Sequence, residues 1–310
     1  MTKMMTINKL NKKFNQKEIL KDLSFDINQG EILCFLGPNG AGKSTTINIL
    51  SGVLPYDSGE VNFFGEDINK NKSNYQSQLG IVPQEIALYE DLSAEENVRF
   101  FASLYGLRGE NLKESVKRAL KRVGLLERKK DKPKTFSGGM KRRLNIACAI
   151  AHEPKLLIMD EPTVGIDPQS RNHILESIKE MKQQGMTILY STHYMEEVEQ
   201  IADRLLILDL GQKIVEGPIE EIKQKHDKQI QINLEDNQLV NKEPFYEILG
   251  VKEVSFSDNQ LLITSLTSIN NMDQIMTELI NQQLHLKNMT VIENNLESIF
   301  LELTGHTLRD

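Results

Sequence analysis

Residues 37 to 45 read GPNGAGKST and follow the apolar run Ile32 to Leu36. Glycines at 37, 40 and 42 let a backbone curl until successive N–H groups point at one anion, with Pro38, Asn39 and Ala41 filling the loop. Thr46, Ile47 and Leu50 continue at helical spacing, so a helix N-terminus adds its partial positive charge behind that loop. Lys43 is spaced to reach the outer phosphates of a nucleoside triphosphate, and the Ser44 hydroxyl, beside Thr45, to ligate Mg²⁺. A second set lies downstream, where the apolar run LLIMDEP delivers Asp160 and Glu161 side by side. Asp160 is expected to hold Mg²⁺ and Glu161 to orient or deprotonate an attacking water. His193 ends the run TILYSTH, which brings its imidazole to the same sheet edge, within reach of a γ-phosphate. Gln84, just after IVP, is neutral and can accept from water while donating to phosphate. These residues together predict binding and hydrolysis of a nucleoside triphosphate.

The elements that must position them are short apolar runs, Ile32 to Leu36, Leu156 to Met159 and Thr187 to Tyr190, alternating with helical stretches. Such runs suit strands covered on both faces, so a mostly parallel sheet in an α/β domain is expected, with the ligand beyond the strands' carboxyl ends. Between about 85 and 150 the pattern is helical. Ser93 and Glu96 are spaced as a capping box ahead of Val98, Phe101, Leu104 and Tyr105, and a second amphipathic helix is predicted over about 111 to 124. Gly217-Pro218 marks a domain boundary, giving 1–217 and 218–310. The second part reads β-α-β-β-α-β, the order of a ferredoxin-like split βαβ unit, with two strands flanking Asp258-Asn259 and a long helix from about Ile269 to Leu284.

Composition narrows the partners. A net charge of -7 and a pI near 5.6 argue against a nucleic-acid binder, and no nucleic acid is expected. The N-terminal MTKMMTINKLNKKF has no signal-peptide core, and no window approaches the roughly 20 apolar residues of a membrane helix. Cys34 and Cys148 lie in apolar surroundings and are expected as reduced core residues.

One stretch resists a purely structural reading. TFSGGMKRR, 135 to 143, puts Lys141, Arg142 and Arg143 into the first turn of a helix, where they oppose the macrodipole, so an anion is expected nearby. GPNGAGKST, Gln84 in VPQE, FSGGMKRR, LLIMDEP, GIDP at 165 to 168 and His193 in STH occur in that order, and the set resembles the ATP-binding subunit of ABC transporters. The ending NNLESIFLELTG, 294 to 305, resembles that of exporter ATPases of the daunorubicin and bacitracin resistance kind.

The resemblance implies ATP and Mg²⁺ as ligands, with Gly37 to Thr45 as the Walker A loop and Asp160 and Glu161 as Walker B. Gln84 becomes the Q-loop residue and a metal ligand beside Ser44 and Asp160. Ser137, Gly138 and Gly139 become the signature, Asp167 the D-loop acid, His193 the switch histidine, and Phe14 the ring that stacks on adenine. It further implies a head-to-tail homodimer, or a heterodimer with a similar ATPase, in which the signature of one subunit closes on ATP held by the other. That ATP is then the anion expected near the three cations. Separate integral membrane permease subunits would dock around Gln84 and residues 88 to 108, placing the chain peripherally on the cytoplasmic face of the cell membrane. The expected function is to power export, the alternatives being a soluble ABC ATPase on a cytosolic complex or an importer ATPase.

Overall fold

A computed structural model describes residues 2–224, 227–236, 238–292 and 296–305. The chain forms two compact units, the first running to Glu216 and the second starting at Gly217.

The first unit opens with two long strands, β1 (Lys3–Phe14) and β2 (Lys17–Asn28), paired antiparallel. β3 (Ile32–Leu36) is buried at every position and leads through the glycine loop into α1 (Lys43–Leu50). β4 (Ser58–Phe63) and β5 (Glu66–Asp67) then complete an antiparallel sheet in the order β2-β1-β4-β5. This sheet went unpredicted for a physical reason. Register shifts between Ile7 and Leu10, Leu10 and Lys12, and Lys12 and Lys13 break the period of two by which a half-buried strand is recognised.

After α2 (Lys72–Gln76) comes β6 (Leu79–Val82), followed by three helices, α3 (Ala94–Leu104), α4 (Gly109–Arg122) and α5 (Gly138–Ile150). The capping box at the start of α3 is present: Glu96 N–H donates to Ser93 Oγ and Ser93 N–H to Glu96 Oε2. The chain returns through β7 (Leu156–Asp160), α6 (Pro168–Gln183), β8 (Thr187–Thr192), α7 (Met195–Ile201), β9 (Arg204–Asp209) and β10 (Gln212–Pro218). The resulting six-stranded sheet has the order β10-β9-β3-β8-β7-β6. Its inner strands pair in parallel, with β3 between β8 and β9. A buried cluster joins Met5, Ile7 and Leu23 of the antiparallel sheet to Leu33, Phe35 and Ile49 of the strand-loop-helix that bears the glycine loop. Each such side chain contributes about 1.5–3 kcal/mol on burial, so the loop is anchored on both flanks. Cys34 and Cys148 are both buried and free, and burial pushes both thiols upward.

The second unit contains α8 (Ile219–Gln224), β11 (Asp227–Leu234), α9 (Glu243–Tyr246), β12 (Val251–Ser257), β13 (Gln260–Leu266), α10 (Met272–Asn281), β14 (Leu286–Ile292) and α11 (Leu296–Thr304). The sheet order β12-β13-β11-β14, with antiparallel pairing, is the ferredoxin-like topology expected from the sequence. Asp258 and Asn259 both take positive φ, 49° and 60°, as a two-residue hairpin turn requires. The helix expected from Ile269 to Leu284 is shorter at both ends: the Asn271 amide before it donates to Leu249 O and Ser265 Oγ, and Gln283 after it takes a positive φ of 56°. Of NNLESIFLELTG, Asn294 and Asn295 lie outside the described residues. Among the described residues no helix is long and apolar enough to cross a membrane.

Candidate ATP site

The glycine loop is built to receive an anion. Gly42 sits at φ 105° immediately before α1, where a Cβ would lie 2.7 Å from the Leu20 side chain, so only glycine fits. The first turn of α1 carries no acidic residue, and no side chain caps it, which leaves its N–H groups to the loop's mouth. Lys43 is only 4% exposed and donates to the loop's own carbonyls, Gly37 O at 2.7 Å and Pro38 O at 3.2 Å. Phe14, Pro38, Asn39, Gly40, Gly42, Lys43, Ser44, Thr45, Gln84 and Glu161 line a single cavity of about 270 Å³. Phe14 is 45% exposed there, with Lys12 Nζ 5.4 Å from its ring centroid.

Glu161 is the centre of the arrangement. Lys43 Nζ lies 3.3 Å from its Oε1, while Gln84 Nε2 at 3.5 Å and His193 Nδ1 at 3.4 Å face Oε2. The His193 approach lacks hydrogen-bond geometry, so this ring nitrogen remains available. Glu161 has φ 45°, a left-handed conformation that costs a non-glycine residue on the order of 1–3 kcal/mol. Its N–H is held by Ser191, through O at 3.2 Å and Oγ at 3.0 Å. Ser191 Oγ in turn donates to Asp160 Oδ1 at 2.6 Å. One serine at the end of β8 therefore fixes both acids at the end of β7. Sequence reading missed it, since a serine inside an apolar strand carries no pattern of its own.

Glu197 was missed as well. It is 1% exposed and accepts from Thr163 Oγ1 at 2.5 Å, Tyr190 OH at 2.9 Å and Thr192 Oγ1 at 2.7 Å. Arg171 Nε approaches to 3.5 Å, with its guanidinium 4.5 Å above the Tyr194 ring. The chain on both sides of His193, the turn after Glu161 and the start of α6 are thereby tied to one buried carboxylate. In sequence an acid in a helix's first turn reads only as a partner for the dipole.

The signature residues and Asp167 are not among those lining the cavity. Ser137 caps α5, accepting from Met140 N–H at 3.3 Å, and Asp167 caps α6, accepting from Ser170 N–H at 2.9 Å. The bonds at Ser170 hold the Asp167 carboxyl below its usual range. Gly138 is exposed, whereas Gly139 is buried against α6, where a Cβ would lie 2.2 Å from Ser170 Oγ. Phe136 is core, 7% exposed.

The three cations behave differently from the expectation. Lys141 pairs with Glu90, Arg142 donates to Pro83 O and Gln84 O, and Arg143 donates to Val123 O. Each has an anionic or carbonyl partner inside the chain, so no external ATP is needed to explain their charge.

Among the described residues no three His, Cys, Asp or Glu side chains gather as a metal cage. Ser44, Asp160 and Gln84 carry oxygen donors of the hard kind that suits Mg²⁺.

The ABC transporter family model matches residues 20–164, and the C-terminal domain of the DrrA1-3-like ATP-binding proteins matches residues 217–304. The chain is 44% identical to the linearmycin resistance ATP-binding protein LnrL of Bacillus subtilis, across 99% of this chain and 100% of that protein. It is 35% identical to the Nod factor export ATP-binding protein I of Sinorhizobium fredii, across 97% of this chain and 86% of that protein. Among solved structures, cbiO1 from Clostridium perfringens, part of the ABC transporter complex cbiONQ, superposes with a TM-score of 0.67 at 31% identity, covering 72% of this chain and 91% of that one. With the glycine loop, Gln84 and Glu161 lining one cavity, His193 facing that same Glu161, and a relative matched from end to end, the chain belongs to the ATP-hydrolysing, ATP-binding subunits of ABC transporters.

Proposed function

We propose that two such subunits, this chain and a second copy or a similar ATPase, meet head to tail and hydrolyse Mg·ATP to drive export through separate membrane subunits. The observation that carries export is the end-to-end likeness, C-terminal unit included, to proteins named for linearmycin resistance and Nod factor export. Phe14 offers adenine an aromatic face. Lys43 exchanges the Gly37 and Pro38 carbonyls for phosphate oxygens, and this also releases Glu161 from its ammonium partner. Glu161, held by Ser191, then orients the attacking water and accepts its proton. Gln84 and His193, already facing the same carboxylate, hold the water and the γ-phosphate in line. Ser44, Asp160 and Gln84 would hold Mg²⁺, which when bound would supply positive charge to offset the charge developing on the transferred phosphoryl group. Ser137, Gly138 and Gly139, with Asp167, face the nucleotide of the second subunit.

The chain would sit on the cytoplasmic face of the membrane. The exposed Tyr89, Phe100, Leu104 and Tyr105, within residues 88 to 108, offer an apolar surface for a permease subunit. Detergent extraction of the tagged full chain from its native membranes, followed by identification of stoichiometric partners, tests this. A polytopic membrane protein that raises ATP turnover is the expected result. Recovery of soluble partners or ribosomes alone would overturn the export reading while leaving the ATP site standing.

A further inference from the structure

The loop that carries Gln84 leaves β6 and reaches α3 without regular structure over residues 83 to 92, so its backbone carbonyls need partners from elsewhere. The first turns of α5 supply them. Arg142 is 3% exposed, and its guanidinium reaches Pro83 O at 2.7 Å through Nη1 and Gln84 O at 2.5 Å through Nη2. One residue earlier, Lys141 pairs with Glu90 at the far end of the same loop. The loop is thus gripped at both ends by the helix that Ser137, Gly138 and Gly139 begin. Burial holds the guanidinium below its ordinary range, so this charge is kept in the interior at a cost that packing alone does not explain. Arg143, the third cation, holds Val123 O instead and touches neither end of the loop.

From this geometry we infer that Arg142, assisted by Lys141, is a positioning residue that makes the Gln84 loop and the signature helix move as one body. Gln84 belongs to this subunit's own site, and the signature turn is where the second nucleotide would be met, so the fork ties one site to the other within a single chain. The inference rests on the role proposed for Gln84 at the γ-phosphate. A lysine at 142 keeps the charge but cannot hold two carbonyls in one plane.

The test is a double-mutant cycle in ATP turnover by the full chain, using R142K, Q84A and the pair. R142K is expected to lower kcat about tenfold with KM for ATP within about twofold, and to cost no more than about twofold when added to Q84A. Equal losses in both backgrounds would overturn the coupling, as would wild-type turnover in R142K. Wild-type turnover in Q84A alone would instead sink the role of Gln84. Where R142K does not fold, R142Q carries the same cycle. K141A removes the other grip without opening the core and is expected to lower kcat about threefold, a loss that vanishes beside Q84A; an undiminished kcat, or a loss that persists beside Q84A, would overturn the two-ended clamp. R143K, as comparator, is expected to show no coupling to Gln84, and coupling there would overturn the assignment to residues 141 and 142.

Discussion

Around Glu161 the functional side chains hold one another, whereas at Ser137 and Asp167 they hold their own backbone. Lys43, Gln84 and His193 all face a single carboxylate. Ser137 and Asp167 are each occupied as helix caps. The first region is a side-chain site whose chemistry is assembled within one chain. The second is a pair of helix starts shaped by their capping side chains, which we propose meets its ligand through backbone N–H groups. Residues of the same type therefore carry different information in the two places, and loss of one should read out differently.

The largest expected effect lies in the first region. Glu161→Gln keeps the shape and one acceptor oxygen but cannot take a proton, so kcat should fall by at least about 100-fold with ATP affinity retained. Turnover within tenfold of the parent would break the idea that this carboxylate serves the water. A middle-sized effect tests the second region. Gly139→Ala drives a methyl into Ser170 and should cost about 1–3 kcal/mol in chemical denaturation. Because that Cβ points at Ser170 within the chain, adding Ser170→Gly should recover most of the stability and of the turnover. Recovery of stability without turnover would show that the ligand itself excludes a side chain at 139.

The smallest effect probes the far end of the helix that the second region begins. His152, just past α5, stacks on Tyr105 at 3.5 Å between ring centroids and bonds Leu79 O at 2.8 Å. Burial lowers its pKa from an ordinary value of 6.5. Below that value the unfolded chain takes up a proton that the folded chain resists, so stability falls as pH drops toward the folded pKa. His152→Gln should flatten the acid limb of a stability-against-pH curve, and an unchanged limb would place the loss elsewhere.

How much the sequence disclosed follows the same division. The glycine loop, the acid pair and the Ser93 capping box are local devices whose residues are neighbours in sequence, and each is where its spacing predicts. The ferredoxin-like order was legible because Asp258-Asn259 and the flanking alternation are local too. Ser191 and Glu197 were invisible because their partners come from strands and helices that only the parallel sheet brings together. The three cations misled for a related reason: the helix was readable, but it starts at Gly138, which leaves Arg142 and Arg143 past its first turn, and the Pro83 and Gln84 carbonyls that receive Arg142 are distant in sequence. A charge that opposes the dipole can be answered by the chain's own backbone.

The hold of the glycine loop on Lys43 has a thermodynamic meaning. Its ammonium already joins Gly37 and Pro38 across the loop, so the entropy lost in shaping that loop belongs to folding of the subunit and not to capture of a nucleotide. Capture becomes an exchange of acceptors around one fixed cation. Affinity is then set by how much better phosphate oxygens satisfy that cation than two peptide carbonyls and the Glu161 carboxylate do, a difference that favours a multiply charged guest over water or a neutral sugar.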